Sequence, residues 1–409
     1  MLTPDLGTAD PASQIRDRPM LALPWHIITG EYPPTGGGVA DYSRSVARSL
    51  ALAGDEVHVW TPAVRDGLVE ETGVRLHSLA EGFGPRGLMT VAREFERWRG
   101  PRRVLLQYVP QAFGLRGMNL PFCAWIASLK STQLWVMFHE VLVLWERPRS
   151  LKRAALAAST RAMAALLVAR ADRIFMSIPS WEPLLRSVAL RPFGATWLPI
   201  PSSLPTAVSP ETTQRIRARL GLAAETRLVG HFGTYGALVA PLLKTQARAI
   251  LRADPRRRLL LLGRGSDACA RELASERAEP WPADRVTATG DLDAHDAAAH
   301  LSACDVLIQP YVDGISTRRT SAMAGLALGV PLATNHGWLT ETIWRSSGAV
   351  ELAATPDRVH EAAEALLRDP TRAAAIGARG RQLYRDRFSV EHTVQALREP
   401  PGRVAGHVL

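Results

Sequence analysis

The feature that most constrains this fold is an alternation of strand and helix patterns that occurs in two series, before and after a proline-rich stretch. The first series opens with an apolar strand pattern at residues 21–29 and a glycine-rich loop at 30–38. Apolar residues then recur at helical spacing over 39–53, and a second strand pattern follows at 56–61. A strand, a helix and a strand in this order predict a parallel crossover unit.

The same alternation continues along most of the chain. Prolines 199, 201, 205 and 210, with serines and threonines between them, predict a linker between two domains. We therefore predict an α/β protein of two doubly wound Rossmann-like domains that face each other across a cleft. The further predicted strands are 74–79, 104–108, 134–139, 173–177 and 196–198, then 228–232, 259–262, 286–288, 306–309 and 332–334; the predicted helices are 151–171, 241–250, 268–274, 296–301, 319–328, 357–368 and 371–385.

Composition narrows the class of function. A chain of 409 residues that is 46% hydrophobic and 22% charged can bury a large core. The net charge of +10 suggests an anionic partner, which could be nucleic acid, acidic lipid or a phosphorylated small molecule. Only three lysines are present, and we find no basic tail or nucleic-acid-binding signature, so no nucleic acid partner is expected.

Cysteine use and hydropathy bear on location. The three cysteines are widely spaced, which gives neither a disulfide framework nor a zinc site and fits a reducing cytoplasm. Residues 1–20 lack the apolar segment of a signal peptide, so we expect a disordered tail. No run reaches the length of a membrane span. Peripheral contact with an anionic membrane surface, through arginine and tryptophan on a surface helix, stays open.

The stretch from 313 to 331, DGISTRRTSAMAGLALGVP, follows a predicted strand and leads into a predicted helix. Ligands bind at the carboxyl ends of strands in open α/β sheets, and helix amino termini attract anions. Arg318 and Arg319 add two guanidinium groups at the same place, which favours a phosphate site. The alternative is a solvated helix start with two surface arginines.

Two glycine-rich turns lie in the same predicted domain. GHFGTYG at 230–236 and GRGS at 263–266 each follow a strand, and such turns allow a phosphate or a base to approach the backbone. Neither fits the dinucleotide fingerprint or the P-loop consensus, which disfavours dinucleotide oxidoreductases and P-loop ATPases. Each turn alone could be an ordinary strand-to-helix connection. Together with the 313–321 loop they favour a pocket for a nucleotide diphosphate.

Seven segments, read in order, resemble glycosyltransferase family 4, whose members are retaining enzymes of the GT-B fold. The resemblance spans about residues 21–395 and rests on EYPPTGGGVADYSRSVARSLALAGDEVHVWTP, WVMFHE, LVARADRIFMSIPSWEPLL, LVGHFGTYG, LLLLGRGSD, TATGDLDAHDAAAHLSACDVLIQPYVDGIS and RTSAMAGLALGVP.

This resemblance implies a metal-independent transferase without a cofactor, which takes a sugar from a nucleotide diphosphate sugar and passes it to an unidentified acceptor. It implies an acceptor-side domain at 21–200, a donor-binding domain at 201–385 and, within 386–409, a helix that crosses back to the first domain.

The chain departs from the family pattern at the 313–331 stretch. Members usually carry two glutamates eight positions apart, whereas this chain has Asp313 and Ser321. The basic residues expected after the first strand of the second domain are also missing before Lys244. Arg318 and Arg319 are the evident replacements, because a guanidinium binds a diphosphate in a bidentate manner. The stretch is similar to a variant subgroup with Asp-Gly-x-Ser and paired arginines.

The resemblance and its departures assign candidate residues to three roles. His139 resembles the active-site histidine of the family, although a single histidine at a strand end is often structural. Asp41 could equally serve as a carboxylate in the first turn of a helix. The catalytic candidates are His139, Asp313, Arg318 and Arg319; the donor-binding candidates are Gly37, Gly38, Gly233, Thr234, Tyr235, Arg264, Gly290, Ser316, Thr317 and Ser321; the acceptor-binding candidates are Glu31, Asp41, Tyr42 and Glu140.

Other functions remain compatible with the sequence. A sugar-nucleotide hydrolase or epimerase of the GT-B fold would share both domains but turn over the donor without an acceptor. A noncatalytic basic protein would bind nucleic acid or membranes with a steep dependence on salt.

Overall fold

The computed structural model describes residues 23–64, 67, 69–97, 100–142, 150–275 and 283–399. The predicted tail at 1–20 lies outside the described residues, as does the part of the predicted 386–409 segment from residue 400 onward. None of the helices within the described ranges is long and apolar enough to cross a bilayer.

The first sheet contains seven parallel strands. They are β1 Trp25–Thr29, β2 Val57–Pro62, β3 Val74–Leu79, β4 Arg102–Tyr108, β5 Thr132–Phe138, β6 Arg173–Met176 and β7 Ala195–Trp197, in the spatial order β3-β2-β1-β4-β5-β6-β7. Ile27 and Ile28 on β1 pack into two different core clusters. Both faces are therefore covered, as a parallel sheet requires. The helices of this half are α1 Gly38–Leu52, α2 Pro85–Arg97, α3 Leu120–Ser128, α4 Leu151–Arg170 and α5 Trp181–Arg186.

The second sheet contains six parallel strands. They are β8 Arg227–Phe232, β9 Arg257–Leu262, β10 Val286–Ala288, β11 Val306–Gln309, β12 Leu332–Asn335 and β13 Glu351–Ala353, in the order β10-β9-β8-β11-β12-β13. Leu228 and Val229 pack on opposite faces. The helices are α6 Pro210–Arg219, α7 Ala240–Ala253, α8 Ser266–Ala274, α9 Ala294–Ser302, α10 Thr320–Leu328, α11 Thr342–Ser346, α12 Val359–Arg368 and α13 Pro370–Leu383.

The two halves are joined by the chain at 198–209 and by the last helix. The backbone N–H of Ile200 donates to Thr317, and that of Ser202 donates to the Tyr384 hydroxyl. Helix α14 Val390–Arg398 then packs against α1, and Leu397 is buried in a core cluster of the first sheet. The second half therefore contacts the first at both ends of its sequence.

The predicted fold class, two Rossmann-like α/β domains, is confirmed. Every predicted strand is present, with ends displaced by at most four residues. Strand β13 and helix α11 were not predicted, and no bounds were predicted for helices α2, α3, α5 and α6. The predicted linker is shorter than the proline pattern suggested, since Pro210 is the first residue of α6, a position that tolerates proline.

Candidate functional site

A cleft with a volume of about 1170 Å³ lies between the two halves. Its walls include residues that follow β1 and β9 and the last residue of β8, Phe232, so the carboxyl ends of strands from both sheets border it. Asp41 and Arg264 line it, together with Gly36 and Asp291, whereas Asp313, Arg318 and Arg319 are not among its lining residues. The glycine-rich loop connects the two places, because Gly38 faces Thr320, the first residue of α10.

Asp313, Arg318 and Arg319 form one cluster at the start of α10. Arg318 Nη2 donates to Asp313 Oδ2 at 2.6 Å, and Arg319 Nη2 donates to the other carboxylate oxygen, Oδ1. All three side chains are at most about a quarter exposed. The structure thus brings together three of the four predicted catalytic residues around a single carboxylate.

Aromatic rings hold the two guanidinium groups. Arg319 lies over the ring of Tyr311, 4.6 Å from its centroid, and Arg318 lies 5.5 Å from the centroid of Trp181 in the first half of the molecule. Cation–π contacts of this kind stabilise a guanidinium by about 0.5–2 kcal/mol. The Trp181 indole also donates to the His139 carbonyl at 2.9 Å. Trp181 therefore links the arginine cluster to the predicted active-site histidine.

Arg318 also faces a carboxylate of the other domain. Its Nη1 lies 3.8 Å from Oε1 of Glu140, a predicted acceptor-binding residue. Glu140 is about half exposed, so this pair is screened and contributes little to stability. Its relevance is positional, because it brings an acceptor candidate next to a catalytic candidate.

Thr317 was predicted to bind the donor, but the structure places it in the contact between the two domains. Thr317 is fully buried; its N–H donates to Glu341 at 2.9 Å, and its hydroxyl lies within hydrogen-bonding distance of Glu341 and of the Ser177 carbonyl. The Trp197 indole donates to the same hydroxyl at 3.1 Å. Thr317 therefore joins the two domains, and its polar atoms are already engaged.

The two glycine-rich turns pack against each other. A side chain at Gly263, where φ is +107°, would approach the Gly233 carbonyl to 2.4 Å, so this crossing requires glycine. Gly233 is a donor-binding candidate, but its N–H donates to the Leu262 carbonyl at 3.2 Å and is therefore not available to a phosphate. The Tyr235 hydroxyl likewise points inward, to the carbonyls of Leu262 and His231.

The remaining donor candidates occupy different surroundings. Arg264 reaches across the cleft, since a side chain at Gly36 would meet its guanidinium at 2.5 Å, and Arg264 pairs with Asp291 at 3.2 Å. Gly290 donates its N–H to Ser266 and lies beside Asp267. Gly37 immediately precedes α1, and Thr234 follows Gly233 on the turn after β8.

Two serines of the donor loop are also placed differently. The Ser321 hydroxyl shares a hydrogen bond of 2.9 Å with the hydroxyl of Tyr311. Ser316 is completely buried, and its hydroxyl has no hydrogen-bond partner among the described residues.

His139 follows β5 and is buried at the carboxyl end of the first sheet. Its Nε2 lies 2.8 Å from Gln107 Oε1, and the ring packs edge-on against Tyr42, with centroids 5.0 Å apart. Burial lowers the pKa of His139 to about 3. The imidazole is therefore neutral near pH 7 and poorly suited to proton transfer.

Three of the acceptor candidates are carboxyl groups that are partly or fully exposed, and the fourth is a core residue. Glu31 and Asp41 have raised pKa values: burial is the main cause for both, and for Glu31 the next cause is the charge of Asp41. Glu140 also raises the pKa of Glu31, so both of the other carboxyl groups act electrostatically on Glu31. Tyr42, in contrast, is only 3% exposed and belongs to the core, which corrects its assignment to an acceptor site.

Sequence reasoning missed four residues that support the site: Gln107, Trp181, Tyr311 and Glu341. Each lies just beyond a predicted site residue and contacts it through a side chain. Tyr311 and Trp181 occur in the sequence analysis only as parts of matching segments. No helical or strand spacing rule connects them to their partners, because each pair is at least eight residues apart in the sequence.

Two family models match the chain. A glycosyl transferase 4-like domain matches residues 37–195, and a glycosyl transferase-like model matches residues 244–399. Together they cover well over half of the sequence, one match in each half of the fold. The chain belongs to the family 4 glycosyltransferases of the GT-B fold.

A curated relative of this family 4 chain is an enzyme of Corynebacterium glutamicum, a GDP-mannose-dependent monoacylated alpha-(1-6)-phosphatidylinositol monomannoside mannosyltransferase. The two are 28% identical over 224 residues, which is 51% of this chain and 52% of the relative. The match thus spans about half the length of that enzyme.

Solved structures resemble the whole described fold. Sucrose-phosphate synthase of Thermosynechococcus elongatus is 20% identical with a TM-score of 0.68, and the match covers 92% of this chain and 97% of that one. HepE of Anabaena, in complex with UDP, is 14% identical with a TM-score of 0.67 and coverages of 92% and 98%. WaaG, a glycosyltransferase involved in lipopolysaccharide biosynthesis, is 14% identical with a TM-score of 0.63 and coverages of 92% and 100%. At these identities the likeness shows the GT-B fold.

Proposed function

We propose that this protein is a glycosyltransferase that moves a sugar from a nucleotide diphosphate sugar to an acceptor. The observation that carries the proposal is the cluster of Arg318, Arg319 and Asp313 at the start of α10, opposite the glycine-rich loop of the first domain. Two guanidinium groups beside a helix amino terminus form a strong site for a diphosphate. The solved HepE structures with UDP and UDP-glucose and the GDP-mannose-dependent relative support this donor class.

The proposed donor site extends from the arginine cluster into the cleft. Arg318 and Arg319 bind the diphosphate, and Asp313 accepts hydrogen bonds from sugar hydroxyl groups. The nucleoside occupies the part of the cleft bordered by Gly263, Arg264 and Asp291. This arrangement places the bond to be broken between the two domains.

The proposed chemistry is retaining and requires neither a metal ion nor a cofactor. The departing diphosphate oxygen takes the proton of the acceptor on the same face of the sugar, while the arginines stabilise its developing charge. His139 is held neutral, so its contribution is to shape the wall beneath the sugar. The protein thus acts mainly by positioning and by charge stabilisation.

The acceptor site is proposed on the first domain. Glu31, Asp41 and Glu140 present carboxyl groups that hydrogen-bond to hydroxyl groups, and Glu140 lies next to Arg318. We further propose a cytoplasmic location, with peripheral membrane contact if the acceptor is a lipid. The acceptor could be a glycan, a lipid-linked sugar or a small molecule.

A calorimetric screen against uridine, guanosine, adenosine and thymidine diphosphate sugars tests the proposal. We expect one base to bind and to raise the melting temperature, and we expect binding to persist in a chelator. Turnover of the donor without any acceptor would favour a hydrolase or an epimerase. If none of the four donors binds or stabilises the protein, the proposed function is wrong.

A further inference from the structure

We propose that Asp313 is an internal competitor of the donor diphosphate. Its carboxylate holds the guanidinium groups of Arg318 and Arg319 in position, and donor binding is an exchange in which the diphosphate takes both arginines from it. The exchange leaves Asp313 free to bind the sugar. This inference rests on the proposed function and concerns the same site.

The Asp313 carboxylate binds both arginines, as a diphosphate in the same place would. Each carboxylate oxygen of Asp313 accepts from a different arginine, so one anion bridges two cations. The side chains of Asp313, Arg318 and Arg319 are 15%, 21% and 27% exposed, which limits screening by water. An anionic ligand at these arginines therefore competes with Asp313 for the same N–H groups.

The backbone of Asp313 is fixed, so the arginines are the mobile partners. Its carbonyl accepts from the Leu339 N–H at 3.1 Å, and a side chain at Gly337 would approach it to 2.4 Å. Gly314 has a φ of +84° and packs equally closely against Gly337. Arginine side chains, in contrast, have several rotatable bonds and can change partners, at the cost of any contact with Trp181 or Tyr311 that is lost.

A carboxylate leaves part of each guanidinium unsatisfied. The Nε atoms of Arg318 and Arg319 are buried and have no hydrogen-bond partner among the described residues. A diphosphate has more oxygen atoms and more negative charge than a carboxylate, so it can engage more N–H groups of guanidinium groups that have turned away from Asp313. The exchange is therefore favourable, but its gain is reduced by the loss of the two pairs with Asp313.

The expected result of removing this competitor is tighter binding. In Asp313→Asn the side chain keeps its shape but loses its charge, so calorimetry should give a dissociation constant for UDP or GDP about tenfold lower than in the wild type, a change of about 1.4 kcal/mol. Uridine and guanosine should bind unchanged. A residue that merely organises the site would give the opposite result, weaker binding on substitution.

Glu140→Gln is the matched control. It also removes one carboxylate near Arg318, but that carboxylate lies 3.8 Å away, is half exposed and contacts a single arginine. We expect a change below about twofold, because screened pairs contribute little. An equal gain in both variants would show a general effect of charge and would overturn the exchange.

The inference and the proposed function fail in different ways. If the wild type binds no nucleoside diphosphate, the proposed function is wrong. If the wild type binds and Asp313→Asn binds equally or more weakly, only the exchange is wrong. Should the variant not fold, a structure of the wild type with the bound diphosphate decides: exchange requires Arg318 and Arg319 on phosphate oxygens, and retention of both pairs with Asp313 contradicts it.

Discussion

Glu341 accepts two hydrogen bonds from Thr317, one from its N–H at 2.9 Å and one from its hydroxyl at 2.6 Å. Burial raises the pKa of Glu341 although Thr317 and Trp344 donate to it. The Thr317 hydroxyl also lies 2.9 Å from the Ser177 carbonyl in the other domain. The residue directly before Arg318 is thus fixed to both halves of the molecule.

Removal of the Thr317 hydroxyl should loosen this contact. Thr317→Val keeps the shape of the side chain but removes a partner from the buried Glu341 carboxylate and Ser177 carbonyl and from the partly buried Trp197 indole. We expect a loss of about 1–3 kcal/mol in the free energy of unfolding, measured by denaturant titration. Thr245→Val is the control, since that hydroxyl bonds only to an exposed helix carbonyl. Equal losses in the two variants would contradict a role at the domain contact.

The turn at Gly314 should tolerate no side chain. Gly314→Ala combines a φ of +84° with a Cβ 2.3 Å from Gly337 N and Thr340 Oγ1. Gly221→Ala has a comparable φ of +64° but open space around it, so it measures backbone strain alone, about 1–2 kcal/mol. We expect Gly314→Ala to lower the melting temperature clearly more than Gly221→Ala. Similar shifts would show that close packing at Gly314 is unimportant.

His26 on β1, His58 on β2 and His77 on β3 stack on one another. Their buried positions predict that the folded protein loses stability in mild acid. Burial, with the neighbouring charges of His58 and Arg75, lowers the pKa of His77 to about 4, and burial also lowers the pKa of His26 and His58. In the unfolded chain these pKa values are near 6.5, so the unfolded state binds more protons. The free energy of unfolding that comes from keeping these histidines neutral is fully present above about pH 6.5. It is lost as the pH falls towards their pKa values in the folded state.

The readout is the slope of stability against pH. His77 stacks on Trp60 with centroids 3.8 Å apart, so His77→Phe retains the ring contact but cannot be protonated. We expect its free energy of unfolding to fall less between pH 7 and pH 5 than that of the wild type. The exposed His295 provides the control substitution, His295→Phe, for which the wild-type slope should persist. An unchanged slope in His77→Phe would exclude His77 as a cause.

The fold was predictable because several strands contain continuous apolar runs, such as those at 259–262 and 306–308, and these strands alternate with helical patterns. Helix α10 was predicted from a dense run of small and apolar residues, and Gly329, with φ of +71°, ends it. The position of polar atoms within the site was not predictable. Thr317 and Gly233 have the residue types of a phosphate site, but their N–H groups donate to Glu341 and Leu262, which only the folded chain brings near. Tyr42 followed the helical pattern equally well as a core residue.

The diphosphate role of Arg318 and Arg319 is the central claim, and calorimetry of single variants tests it most directly. Wild type, Arg318→Ala and Arg319→Ala are titrated with the nucleoside diphosphate that binds best and with the same nucleoside without phosphates. We expect each variant to lose about 1.5–3 kcal/mol of binding free energy for the diphosphate, roughly ten- to a hundredfold in affinity, and almost none for the nucleoside. Equal losses for both ligands, or none for either, would contradict the account.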